Sequence, residues 1–247
     1  MIPVSPARRR PLARLLCSLL VPGMVVSGPV ADVTGFPFTN ETLHYTVNWP
    51  TGLSLGEAQL SATRIQPAKD GSEQWAFKLA LDAAIPGFGV TDRYQSTASL
   101  DLCSAVLDRD FTHGSRKSHD RVDFDQHEGV AHRETVGAGK SDVPISPCAH
   151  DALTFLYFAR RELGQGRVPQ HENILFGGPY QITLEYAGEQ TVKVNDRPST
   201  ADRVIATVKG PSSEVTFEMF FARDAARTPL MVRVPLSLGM FSLELAR

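Results

Sequence analysis

His113, His119, His127, His132 and His150 fall within 38 residues, and imidazoles gathered from neighbouring strands can ligate a transition metal. Their spacings are irregular and their neighbours polar, which suits wet faces and turns better than a metal centre. The segment His127-Glu128-Gly129-Val130-Ala131-His132 looks like the helical zinc-protease motif. That motif needs its histidines at i and i+4 on one helical face. Here the second histidine comes one residue late, and Gly129 interrupts the segment. No Gly-rich phosphate loop and no G-x-S-x-G nucleophile elbow occurs. No metal and no cofactor is expected.

Asp92, Arg93 and Tyr94 sit in the middle of an alternating segment, with Val90, Asp92, Tyr94 and Ser96 on one side. A carboxylate or guanidinium placed there could meet a ligand or a reacting group. The simpler reading is a cross-strand ion pair on a sheet face. Asp151, Tyr157 and Arg160 lie together on a short helical segment, where a helix cap and a paired arginine are the simpler roles. These six form the candidate ligand-binding set. No nucleophile–base pair is recognisable, so no catalytic residue is assigned and an enzyme is not expected.

The elements that must position these residues are mostly strands. Period-two alternation marks Leu43, Tyr45, Val47 and Trp49 against His44, Thr46 and Asn48. The same pattern recurs at Phe77-Leu79-Leu81, Ile182-Leu184-Tyr186, Val204-Ala206-Val208, Val215-Phe217-Met219-Phe221, Leu230-Val232-Val234-Leu236 and Phe241-Leu243-Leu245. One apolar and one wet face per strand marks antiparallel sheet, since a parallel sheet covered on both sides reads as continuous Val/Ile/Leu. Lys69-Asp70-Gly71-Ser72, Pro86-Gly87, Glu128-Gly129, Gly177-Gly178-Pro179, Asn195-Asp196 and Gly210-Pro211-Ser212 supply turns between the runs. About a dozen strands exceed what one flat sheet holds. The expected fold is therefore all-β: a curved antiparallel sheet forming an open or partly closed β-barrel. One segment departs from it, a helix from Asp151 to Leu163. Asp151 or Ser146 could cap its start, and Gly164 suits a left-handed position after its end. Apolar on most sides, it should be buried against the open side or in the mouth of the sheet.

Arg8, Arg9, Arg10 and Arg14 precede an apolar run from Leu15 to Val26 that ends in Ser27 and Gly28. This is the pattern of a secretory signal peptide over residues 1–31, and the run is short for a membrane span. An uncleaved N-terminal anchor is the competing reading. Residues 32–247 are expected to form a single β domain with no transmembrane segment. The full chain carries 25 Lys+Arg and 27 Asp+Glu. That near-balance, with a pI of about 6.4, argues against a nucleic-acid partner. Loss of the four arginines leaves 21 basic against 27 acidic residues, a balance of −6 that weakly disfavours binding to anionic lipid surfaces. Cys103 and Cys148 then remain. An even pair in an exported chain is a candidate disulfide, the competing reading being two separate buried thiols.

The ordered set of these features resembles the bacterial family catalogued as domain of unknown function 3108. It is carried by Leu43-His44-Tyr45, Gly56-Glu57-Ala58, Asp92-Arg93-Tyr94 and Val122-Asp123-Phe124-Asp125, then by Asp151-Ala152-Leu153 through Leu156-Tyr157 and Arg160. Gly164-Gln165-Gly166, Asp224 through Pro229 and Leu238-Gly239 complete it. The resemblance implies an exported envelope protein with a curved, mostly antiparallel sheet and no assigned activity. A Gly-containing turn, frequent in that family, is replaced here by Asn195-Asp196-Arg197-Pro198.

The functional expectation is a non-enzymatic periplasmic protein that holds a lipid or other amphipathic ligand in its curved sheet. The alternatives are an envelope scaffold that binds other proteins through a sheet edge or face, and a hydrolase of unrecognised type using Asp92, Asp151 or a histidine.

Overall fold

The computed structural model describes residues 38, 40–66, 72–85, 87–237 and 239–246. The expected signal segment lies outside these residues, as do Lys69, Asp70, Gly71, Pro86 and Leu238 of the expected turns and terminal motif.

Among the described residues, fifteen strands and one helix follow one another. They are β1 (Glu41–Asn48), β2 (Ser54–Ile65), β3 (Gln74–Ile85), β4 (Phe88–Ala98), β5 (Ser104–His113), β6 (Arg116–Asp125), β7 (Val130–Thr135) and β8 (Gly139–Pro144). Then come β9 (His150–Asp151), α1 (Ala152–Gly164), β10 (His171–Leu175), β11 (Pro179–Val194), β12 (Arg197–Lys209), β13 (Glu214–Ala222), β14 (Pro229–Leu236) and β15 (Gly239–Leu245). All fifteen strands belong to one sheet, ordered β8-β7-β6-β5-β4-β3-β2-β1-β15-β14-β13-β12-β11-β10-β9. Neighbours pair antiparallel except β9 with β10, which run parallel. The expected alternation holds: Tyr45, Val47, Leu60, Phe77 and Tyr94 all turn inward and are buried.

The sheet curls until β9 meets β5, but no continuous ladder closes it. Point links bridge the seam instead. The Ser104 amide donates to the Ala149 carbonyl at 3.0 Å. The Gln126 side-chain amide donates to the carbonyls of Ser104 (2.7 Å) and Ala149 (3.1 Å). The Cys103–Cys148 disulfide joins the chain just before β5 to the chain just before β9, with Cα atoms 4.5 Å apart. A persisting disulfide is consistent with an exported protein.

Register explains two local features. At Gly56 a Cβ would stand 2.0 Å from the Asp82 carbonyl oxygen on β3, so only glycine allows this approach of β2. In the β11–β12 hairpin, Asn195 and Asp196 have φ of 50° and 62°. This is the two-residue turn whose backbone twist matches the strands, and Asn and Asp tolerate it without glycine.

Helix α1 starts at the N-cap Asp151, whose carboxylate accepts from the Leu153 and Thr154 amides. The expected left-handed residue at its other end is not Gly164, which remains helical. Gln165 is the C-cap, and Gly166 takes φ of 73°. The Gly166 and Arg167 amides there donate to the Leu163 and Glu162 carbonyls.

Buried on most sides, α1 joins two halves of the core. Tyr157 stacks on Phe77 of β3 at 4.2 Å and meets Phe38 edge-on, while Phe155, Ala159 and Leu163 pack with Ile182, Val204 and Phe221. No described helix is long and apolar enough to cross a membrane.

Candidate functional site

A cavity of about 450 Å³ lies between α1 and the concave face of the sheet. Its wall is apolar, built from inward positions of ten strands together with Leu153, Phe155, Leu156 and Ala159 of the helix. The rows read from sequence supply it: Val215, Phe217 and Met219 from β13, Val232 from β14 and Leu243 from β15. Period two puts all of these on one face.

Two of the wall's tyrosine oxygens, those of Tyr45 and Tyr94, have partners of their own. The Tyr45 hydroxyl donates to the Pro229 carbonyl at 2.9 Å. Burial, with the Asp92 carboxylate nearby, raises the Tyr94 pKa well above that of a free phenol, so Tyr94 stays neutral. Neither group offers charge to a ligand. The lining is thus almost wholly apolar.

Of the six sequence candidates, Tyr94 alone reaches the cavity wall. Asp92 shares its face but lies nearer the strand end, 2.8 Å from His113 Nε2 on β5. Arg93 points to the opposite, convex face, where it forms a two-pronged pair with Asp82 at 2.9 and 2.7 Å. Period two forces that separation of adjacent residues.

Asp151, Tyr157 and Arg160 belong to the packing around α1. Both Asp151 oxygens are engaged. One accepts the two helix amides, at 2.8 and 3.1 Å. The other accepts the hydroxyls of Ser96 (2.5 Å), Ser104 (2.6 Å) and Thr154 (2.7 Å). This fully buried carboxylate is balanced by neutral donors at a helix N-terminus. Arg160, also buried, grips both oxygens of Glu41 at 2.7 Å and donates to the Ala226 carbonyl. Its guanidinium lies over the Phe38 and Tyr157 rings. Burial raises the Tyr157 pKa.

Sequence reading missed a second buried charge cluster. Asp120 on β6 accepts from Arg109 on β5 (2.6 Å), Arg133 on β7 (2.8 Å) and Thr135 on β7 (2.5 Å). Burial alone would raise its pKa, but these donors outweigh it and hold Asp120 at about 2. Arg109 also donates to the Phe176 carbonyl at 3.1 Å, crossing to the β10–β11 turn. Its only sequence signal was alternation that placed charged residues on an inward face.

The five histidines do not converge, and among the described residues no group of three His, Cys, Asp or Glu side chains could hold a metal. His113, His119, His127 and His132 each neighbour a carboxylate at partly or fully exposed positions. His150 departs from the expected wet setting. It is buried and stacks on Phe158 at 4.6 Å, and burial pushes its pKa down to about 4.

The fold is similar to that in the crystal structure of a beta-barrel-like protein of domain of unknown function DUF1849 from Brucella abortus. The TM-score is 0.57 with 6% identity, over 85% of this chain and 97% of that chain. At that identity the likeness is one of fold alone. No curated protein matches. The family described as Protein of unknown function (DUF3108) matches residues 44–246, from within β1 to just past β15, and the chain belongs to that family.

Proposed function

We propose that this is a non-enzymatic protein of the cell envelope that holds a lipid or other amphipathic molecule, its hydrocarbon part lying in the cavity between α1 and the sheet. One observation carries the reading: an apolar cavity of about 450 Å³ between α1 and the sheet. That volume falls within the roughly 300–1,000 Å³ of small-molecule sites. Apolar cavities hold water poorly. At roughly 24 cal/mol per Å³, a void of this size would forfeit contacts on the order of 10 kcal/mol as an upper bound, comparable to a domain's whole stability. A hydrocarbon occupant restores them.

Envelope placement is supported by the Cys103–Cys148 bridge and by the basic and apolar N-terminal segment. The absence of a catalytic role is supported by the engagement of Asp151 and Arg93 with protein partners.

Titration of the delipidated full mature chain with a fluorescent fatty acid tests the reading. Saturable binding is expected, weakened at least about tenfold by Val232→Phe, which places a larger ring in the cavity. Equal binding by Val232→Phe and the parent chain would place the probe elsewhere and contradict the cavity as the site.

A further inference from the structure

The two ends of the sheet differ in chemistry. Register places the β1–β2, β3–β4, β5–β6, β7–β8, β10–β11, β12–β13 and β14–β15 turns at one end. Helix α1 crosses the other, tied to Ser96 and Ser104, to Glu41 at the start of β1 and to the Asp101 carbonyl of the β4–β5 turn. The cavity thus has the helix as its floor, and Val215, at the base of the β12–β13 turn, is the exposed part of its wall.

Seven large apolar side chains stand exposed among the described residues, and six of them decorate the turn end: Leu53, Phe88, Val136, Val215, Leu236 and Met240. Leu53 is 67% and Leu236 54% exposed. Trp49, edge-on to Phe241 at 5.0 Å, lies among them. Isolated exposed leucines need no explanation, but a set gathered on successive hairpin tips at one pole does.

Charge is sparse on the tips of this end. The described residues of the β1–β2, β3–β4, β10–β11 and β14–β15 turns carry no charged side chain. Lys140 pairs with Glu134, and Lys209 stands opposite Glu214 in register. Arg116 and Lys117, flanking the β5–β6 turn, have no carboxylate partner among the described ion pairs and form a local basic site at that hairpin, while the exposed Glu57 and Asp110 stand further down the strands. Turns at the opposite end carry Asp101, Asp125, Glu128, Asp196 and Asp224; Arg223 and Arg227 there are paired with Glu189 and Asp202, and Arg197 is exposed beside Asp196. An overall acidic chain therefore presents one pole that combines apolar tips, a half-buried tryptophan and, at the β5–β6 hairpin, two cations without a carboxylate partner among the described ion pairs.

We propose that the hairpin-turn end of the sheet docks on a lipid bilayer with anionic headgroups, the apolar tips entering the headgroup region and Arg116 and Lys117 resting on the surface. Apolar side chains at the acyl boundary and basic residues against anionic lipid are the two attractions an interfacial protein uses. Docked this way, the exposed wall of the cavity faces the membrane. The proposal deepens the lipid-binding reading but has its own readout, since adhesion to vesicles does not require an occupied cavity.

Flotation of the full mature chain with vesicles of equal phosphatidylglycerol and phosphatidylcholine tests it, with pure phosphatidylcholine for comparison. The parent chain is expected to float with the anionic vesicles and to be released by high salt. The variant L53S/L236S/M240S alters only exposed side chains. It should retain its melting temperature and lose at least about tenfold in bound fraction; R116E/K117E should lose the preference for anionic lipid. Bromine-labelled acyl chains should quench Trp49 and spare Trp75, which is buried at the far end. Absence of flotation, equal binding by the serine variant, or crosslinks from the tips to a protein and not to lipid would overturn the proposal. A chain that floats but never carries lipid would contradict the cargo reading while leaving the docking surface standing.

Discussion

Arg160 of the helix and Glu41 of the first strand hold each other through two hydrogen bonds of 2.7 Å, across 119 residues of sequence. The guanidinium is fully buried, and the carboxylate and Ala226 carbonyl satisfy it. This pair fixes the helix that floors the cavity.

Removing one member of such a pair leaves an uncompensated buried charge, which costs about 3–5 kcal/mol. Glu41→Ala is therefore expected to lower unfolding free energy by that amount in a denaturant titration. Glu41→Asp, which keeps the charge but shortens the reach, should lose less. Equal stability of Glu41→Ala and the parent chain would show that the pair does not hold the helix.

Asp151 is expected to be as sensitive. Its truncation to alanine leaves two helix amides and three hydroxyls without their acceptor, a loss of more than about 3 kcal/mol. Asp151→Asn retains one acceptor and should cost about 1–3 kcal/mol. Urea melts of both variants provide the comparison.

Acid should destabilise the fold in two steps. Burial lowers His150 from 6.5 to about 4, so the unfolded chain takes up a proton at a pH where the folded chain does not. Stability then falls as pH drops from about 6.5 to about 4, by roughly 3 kcal/mol for a shift of that size. Asp120 is lowered from 3.8 to about 2. Its contribution, roughly 2 kcal/mol, is complete above the unfolded value and is lost as pH falls toward 2. Denaturant melts between pH 7.5 and 2.5 should show both steps, and His150→Phe should flatten the first while leaving the second.

Local chemistry was legible in the sequence, and long-range meetings were not. Alternation revealed the strands and their inward rows, and the helix start was legible to within the choice between Ser146 and Asp151, because both signals lie within a few residues; the structure selects Asp151. The short β9, its parallel pairing with β10 and the seam at Ser104 and Ala149 left no periodic trace. Arg109, Asp120 and Arg133 read as ordinary strand charges until three registers aligned them. Arg93 and Asp92 are adjacent, yet the alternation that sets Asp92 beside Tyr94 sends Arg93 to the opposite face, where its partner Asp82 comes from a strand that the sequence does not align. The cavity had no signature of its own, since Val232 or Leu243 alternates identically whether the space before it is filled or open. His150 looked like its neighbours because sequence does not disclose that Phe158 covers it.

The central claim is that the cavity carries hydrocarbon, and native mass spectrometry of the chain purified gently from its own envelope tests it most directly. The expected spectrum contains a complex heavier than the disulfide-bonded chain by one lipid-sized mass, released on activation and depleted in Val232→Phe. A single peak at the mass of the bare chain, from material never exposed to detergent or organic solvent, would contradict it.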